Sequence, residues 1–218
     1  MRVDGRRRNS RDGADLLHER ILSVAKDIVR QEGLASLTLA TIGRILHMRP
    51  ETILRYVRDF DEIRDAVTAR AQTELAELVE GAIGGRRGRP ALEALFESLR
   101  LYAQAQPGMY EAALLRPASS KPESVREQDP LTRAECAALR ACGVTDAQAE
   151  AFAWCCRAAV HGAICLEACD RRSRQQQIDE NFDRLVSILD AAARSAGRGT
   201  ANLAVFTPSE AWAPSQQG

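Results

Sequence analysis

The chain has 218 residues, 45% of them hydrophobic, and 30 Lys and Arg stand against 30 Asp and Glu. Zero formal charge and a pI near 6.8 argue against a protein that holds polyanions by bulk charge, so any nucleic-acid role must be local. The apolar content excludes disorder throughout, and no stretch reaches the roughly 18 uncharged apolar residues of a membrane span; with no apolar leader after the basic start, the expected location is cytoplasmic.

Aromatics are 5% of the chain, Ala, Leu, Glu and Arg are plentiful, and no run alternates with a period of two, so the expected fold class is all-α. Residues 1–14 hold Arg2, Arg6, Arg7, Arg8 and Arg11 with two glycines and no apolar periodicity, the pattern of a disordered basic arm. From Asp15, Leu17, Ile21, Leu22, Ala25, Ile28 and Val29 recur at helical spacing to a stop at Gly33, predicting a helix over about 15–32. After the link 34–37, Thr38 stands where an N-cap belongs, before a short helix over about 39–46. Pro50 disfavours helix at Arg49 and suits the first turn of the next helix, over about 50–57.

Asp59 or Asp61 can cap a longer helix that runs to about Gly84, and the segment from Gly84 to Pro90 reads as a linker. The division expected is a helix-turn-helix domain at 15–60, a connecting helix at 61–84 and a regulatory domain at 85–196. In that domain, helices are predicted over about 91–106, 131–142, 146–170 and 176–195, with a break at Pro107-Gly108, a polar loop at 117–130 and a charged turn at 170–174. Residues 197–218, rich in Gly, Ser, Pro and Gln, are expected to be a disordered tail.

Three helices of roughly 18, 8 and 8 residues, the last two joined by a tight turn, match the order of a helix-turn-helix. The third fits a major groove roughly 12 Å wide, and Arg49, Glu51, Thr52, Arg55 and Tyr56 would present hydrogen-bonding groups there. Arg6, Arg7 and Arg8 could enter an adjacent minor groove. An all-α protein can also carry two helices and a tight turn, with its arginines merely solvated, and periodicity alone leaves both readings open.

Residues 15–70 resemble the DNA-binding domain of the TetR family of bacterial transcriptional regulators. The resemblance lies in Gly33-Leu-Ala-Ser-Leu-Thr38-Leu-Ala-Thr-Ile42-Gly43, then Met48-Arg-Pro-Glu-Thr52-Ile53-Leu54-Arg-Tyr56-Val57 and Asp61-Glu-Ile63. There are departures from the family pattern. His47 replaces the turn glycine, so the turn must hold a strained backbone or be rebuilt. Leu54 and Val57 take the usual tyrosine and phenylalanine positions, and Phe60 stands where a lysine normally meets phosphate, leaving Tyr56 and Arg58 as candidate substitutes beside Thr38. Leu101-Tyr-Ala-Gln-Ala-Gln-Pro107-Gly108-Met-Tyr110 and Val160-His161-Gly162 are similar to segments of a Trp-His-Gly subclass of TetR C-terminal domains, with Val in place of Trp.

The resemblance implies a homodimer formed by the last two helices, a double-stranded DNA operator, and a cavity for an unidentified small-molecule effector, with no cofactor. The sequence is compatible, since helices 146–170 and 176–195 are apolar enough for a twofold interface, although both could instead close a monomeric core. Phe96, Leu99, Tyr102, Met109, Tyr110, Trp154 and His161 are candidates for the cavity wall, and ordinary core is the alternative. None of the six cysteines forms a Cys-x-x-Cys pair, and all read most simply as buried small residues. His161, Cys165 and Cys169 share a helix face but span a rise of about 12 Å, too far to ligate one ion together. With no phosphate-binding glycine loop, Gly-x-Ser-x-Gly elbow or His-Glu-x-x-His, no enzyme is expected. The reading is a ligand-responsive regulator, as a repressor on a palindromic site; the alternative is a helical partner-binding or redox- or metal-sensing protein with weakened operator binding.

Overall fold

The computed structural model describes residues 4–118, 129–169 and 175–197. Among them are nine α-helices, one 3-10 turn at Leu34–Ser36 and no strand: α1 Asp4–Glu32, α2 Leu39–Leu46, α3 Pro50–Ile53, α4 Phe60–Ile83, α5 Arg89–Ala105, α6 Pro107–Ala113, α7 Pro130–Ala141, α8 Asp146–Cys169 and α9 Gln175–Gly197. The all-α expectation holds. Most of the polar loop at 117–130, the turn at 170–174 and the tail beyond Gly197 lie outside the described residues.

Local chemistry accounts for the helix ends. Thr38 is extended and its hydroxyl accepts from the Thr41 backbone N–H at 3.0 Å, starting α2. Asp59 does the same for the Glu62 N–H at 2.8 Å, starting α4, and Gly84 in the left-handed region closes it. Two elements depart from expectation. Helix α1 begins at Asp4, so residues 4–14, expected as an arm, continue the helix; once a nucleus exists, adding a turn fixes few further dihedrals, and polar residues other than Gly cost little there. Helix α3 stops at Ile53 rather than about Val57, because Arg55 and Tyr56 donate to carbonyls only three residues back, at 3.2 and 2.9 Å, as the chain tightens to bury Val57.

Helix α4 is the spine of the molecule. It packs against α1, α5, α6 and α7, while α8 and α9 close the far side over α5 and α7. One apolar core runs without interruption from Ile21 and Ile42 through Val67, Leu75 and Phe96 to Val160 and Val186. A displacement on one side of α4 is therefore felt on the other.

The turn between α2 and α3 has two demanding positions. An ideal Cβ on Gly43 would sit 2.5 Å from the Met48 carbonyl oxygen, so only glycine lets the turn close on α2. His47 adopts φ 54°, ψ 39°, the sole non-glycine residue with positive φ among those described. The strained alternative of the two posed by the sequence is the one adopted. A left-handed L-residue costs about 1–2 kcal/mol, part of which glycine returns through its freer unfolded chain. His47→Gly should therefore stabilise the protein by about 1 kcal/mol and raise the melting temperature by roughly 2–4 °C, whereas His47→Val should lower it; a calorimetric or dichroism melt of the three proteins decides.

Candidate nucleic-acid interface and its link to the helical core

The turn places α3 on the surface with Arg49 extended before Pro50, as the proline requires. Ile53 and Val57 are buried and anchor the segment, leaving Arg49, Glu51, Leu54 and Arg55 exposed and Thr52 and Tyr56 half-buried. Neither Arg49 nor Arg55 has an ion-pair partner among the described residues. Arg44, on the exposed side of α2, is equally free, and as a lone basic residue in an amphipathic helix it carries no signal of its own in the sequence. Thr38 is exposed but its hydroxyl is already used by the cap. Arg58 is held by Asp59 at 3.0 Å, and this hydrogen bond raises the guanidinium pKa; Arg58 thus meets the interface half-neutralised. Phe60 packs partly buried against the core. The side-chain placement of Arg6, Arg7 and Arg8 lies outside what the structure describes.

Two polar junctions tie this module to the rest. On α4, Glu62 accepts 2.7 Å hydrogen bonds from the His18 ring and from the Arg58 backbone N–H, and the His18 bond, ahead of the backbone one, lowers its pKa. Further along α4, Glu74 accepts from Arg30 of α1 at 2.9 Å, from Arg70 at 2.7 Å and from the Tyr102 hydroxyl of α5 at 3.2 Å. Burial raises the Glu74 pKa, but the bonds from Arg70 and Arg30 outweigh it and the net direction is down. Arg30 also donates to Gln106 at 3.0 Å, in the joint between α5 and α6. A third contact is purely steric: Gly108, at the start of α6, lies so close to α1 that an added Cβ would collide with the Val29 carbonyl and come within 2.8 Å of the Gly33 Cα. The C-terminal end of α1 is thus clasped by α4, α5 and α6 together.

Of the residues expected to line a cavity, Phe96, Leu99, Tyr102, Met109 and Tyr110 are buried in one cluster, and His161 is half-buried with its ring centroid 5.8 Å from that of Tyr110. The Tyr110 hydroxyl is buried with no hydrogen-bond partner, and burial, ahead of the nearby Cys165 and Glu135, pushes its pKa up. Buried hydroxyls without partners are uncommon, which marks this one as a group able to accept a ligand or water. Trp154 does not join the cluster: it is 67% exposed. On α8 the buried positions are Ala149, Phe152, Ala153, Cys156, Val160, Ile164 and Glu167, and at 100° per residue Trp154 falls on the other side. Cys155, Cys165 and Cys169 are likewise exposed rather than core, with the Cys165 sulfur 3.5 Å from the His161 ring. An open cleft of about 350 Å³ lies at the junction of α4 and α5, lined by Ala82, Arg86, Pro90, Glu93, Ala94, Glu97, Ser98 and Leu101, and none of the expected seven residues borders it.

Two buried ion pairs fasten the outer helices. Arg100 of α5 donates to Glu167 of α8 at 2.8 and 3.3 Å and to Asp179 of α9, while its guanidinium lies 4.7 Å from the centroid of the Phe182 ring. Arg157 of α8 grips Glu135 of α7 with a second donation to Thr132 at 2.9 Å, and burial still raises the Glu135 pKa. No group of three or more His, Cys, Asp or Glu among the described residues is placed to hold a metal ion. Helix α8 is the one described helix long and apolar enough to cross a membrane by length and composition.

Comparison with known proteins finds a family match in the C-terminal part and similarity in the fold. Residues 92–189 match the tetracyclin repressor-like C-terminal domain. Over 113 residues the chain is 28% identical to the HTH-type transcriptional regulator YobS of Bacillus subtilis, itself uncharacterized; the match takes in 52% of this chain and 59% of that relative. The fold is similar to that of BioQ from Mycobacterium smegmatis, with a TM-score of 0.60 and 18% identity over 82% of this chain and 98% of that one. It is also similar to a protein assigned to the tetR family of transcription regulators from Shewanella sp. PV-4, with a TM-score of 0.53 and 18% identity over 82% and 96%.

Proposed function

We propose that this chain is a transcriptional regulator of the TetR type, acting as a homodimeric repressor that leaves a palindromic DNA operator when a small molecule enters its helical core; the match of residues 92–189 to the tetracyclin repressor-like C-terminal domain supports the reading. The observation that carries the DNA-binding reading is the surface of the turn and α3: three arginines, Arg44, Arg49 and Arg55, exposed and free of acidic partners among the described residues, around a segment anchored by Ile53 and Val57 with Met48 and Tyr56 packed partly against the core. Several arginines elsewhere are paired with acids, as at Arg30, Arg70, Arg100 and Arg157. Others such as Arg20, Arg87 and Arg133 are exposed singly, so what distinguishes Arg44, Arg49 and Arg55 is their grouping about one turn. Charge also divides along the chain: residues 1–70 hold fourteen Arg and Lys against eleven Asp and Glu, and the remainder carries the balancing excess of acid. A local basic face on a neutral protein suits a binder that relies on base and phosphate contacts more than on non-specific attraction.

In this reading residues 15–60 read DNA, 61–84 connect, and 85–196 regulate, the protein working in the cytoplasm without catalysis. A single short recognition element binds weakly alone, so two half-sites roughly 34–36 Å apart are expected, one for each subunit. The exposed apolar residues Trp154 and Leu166 on α8 and Ile188 on α9 support dimerisation through those helices. The unpaired Tyr110 hydroxyl beside His161 supports an effector seated between α6 and α8. Displacing α6 there would move Gly108 against Val29 and Gly33, and with them α1 and the spacing of the two α3 segments, a coupling between two states.

Arg49→Ala and Arg55→Ala should each weaken specific operator binding by about ten- to hundredfold, because each lost phosphate or base contact costs about 1–3 kcal/mol. The check is a titration of labelled operator at several salt concentrations, with light scattering to confirm that the assembly is unchanged. Binding equal to that of the parent at every salt would remove that arginine from the interface.

A further inference from the structure

The side of α8 turned away from the core carries no charge: none of its exposed residues between Ala151 and Cys169 is acidic or basic. Cys155, Ala158, Gly162, Cys165 and Cys169 follow one another at alternating spacings of three and four, all exposed, and Trp154 and Leu166 stand on the two edges of the row at 67% and 73% exposure. Alternation of this kind forms a single seam along a helix. Charge-free helix surface with large exposed apolar side chains is uncommon in a surface left to water.

The seam is symmetric about Gly162, since Cys155 and Cys169 each stand seven residues from it. A second copy of the same helix, laid antiparallel across a twofold axis at Gly162, meets glycine with glycine at the closest approach. Each Cys155 then faces Cys169 of the partner subunit, about 10.5 Å along the axis from the crossing. With helix axes about 8 Å apart and crossing near 20°, the facing Cα atoms come within the roughly 4.4–6.8 Å that a disulfide spans. The remaining thiols are less suited: Cys165 is exposed but stands three residues from the axis, where the twofold arrangement sets no thiol opposite it, while burial pushes Cys156 up to about 12, Cys136 is buried and raised for the same reason, and Cys142 is raised to about 11 beneath α5.

We propose that a peroxide joins Cys155 of each subunit to Cys169 of the partner subunit, two disulfides per dimer. One thiolate attacks a peroxide oxygen, the O–O bond breaks, and hydrogen peroxide leaves one water and a sulfenic acid. The second thiol attacks that sulfur, the S–O bond breaks, and a second water departs with the thiol proton; two thiols are oxidised for each peroxide reduced. The inference rests on the dimer reading, and the test separates the two.

The purified full chain is first sized by light scattering in reductant, then treated with hydrogen peroxide and run on a non-reducing gel, with the cross-linked peptides identified by mass. The expected result is a dimer in reductant, a covalent dimer after peroxide, and a Cys155–Cys169 peptide pair. Cys155→Ser and Cys169→Ser should each lower the covalent yield at least tenfold, while Cys156→Ser and Cys165→Ser leave it unchanged. A dimer in reductant that forms no covalent species, or whose cross-link survives Cys155→Ser, overturns the thiol proposal and leaves the dimer standing. A chain that stays monomeric in reductant overturns both.

Discussion

Gly108→Ala should destabilise the protein by about 3 kcal/mol and lower its melting temperature by roughly 6–12 °C. The added methyl would meet only backbone: the Val29 carbonyl, and the Gly33 Cα at 2.8 Å. A side chain can swing aside, but the C-terminal turn of α1 can yield only by shifting against α4, with Val29 and Ile28 buried beneath it. The shift would also stretch the Arg30 bonds to Glu74 and Gln106, so operator affinity should change with stability. Gly81→Ala provides the control, because nothing lies within 4 Å of a Cβ there and the residue sits in helix, where alanine is favoured by about 1 kcal/mol. If chemical denaturation placed Gly108→Ala within 1 kcal/mol of the parent, the close approach of α6 to α1 would be wrong.

The second large effect is expected at Arg100. Arg100 and Glu167 are each 9% exposed, and their bidentate pair joins α5 to α8 while Asp179 and Phe182 bring in α9. Arg100→Ala strands the Glu167 carboxylate with Gln104 as its neutral partner at 2.6 Å, and leaving a buried charge uncompensated costs about 3–5 kcal/mol. Arg100→Met combined with Glu167→Met should cost much less than the single change, since desolvation of the pair is removed along with its attraction. Urea unfolding of the three variants measures this. A single variant as stable as the parent would mean that Glu167 is solvated and the junction of α5, α8 and α9 is held by apolar packing alone.

Much of the architecture was legible in side-chain periodicity and caps. Thr38, Asp59 and Gly84 announce their helix ends because capping is a short-range bond whose partners lie within four residues. Helix α2 falls where expected for the same reason, and α8 and α9 differ by a residue or two. Long-range contacts were not legible. Glu74 looks like any surface glutamate until Arg30, 44 residues away, and Tyr102, 28 residues away, are folded onto it. The aromatic ring of Trp154 argues for an inward place, whereas the helix phase set by Phe152, Cys156 and Val160 turns it outward. The early end of α3 depends on burying Val57, a tertiary demand that local propensity does not register. At the candidate interface, Arg49, Glu51 and Arg55 stand exposed as the spacing implied, Thr52 and Tyr56 are half-withdrawn, and Arg58 is claimed by Asp59.

The central claim is sequence-specific DNA binding by a twofold assembly, and the most direct test is selection of bound fragments from a random-sequence DNA library by the purified full chain. The account predicts enrichment of a palindrome whose half-sites are about one helical turn, or a multiple of it, apart, with enrichment lost in Arg49→Ala and Arg55→Ala. Recovery of DNA with no enriched sequence, or enrichment that survives both substitutions, would contradict it.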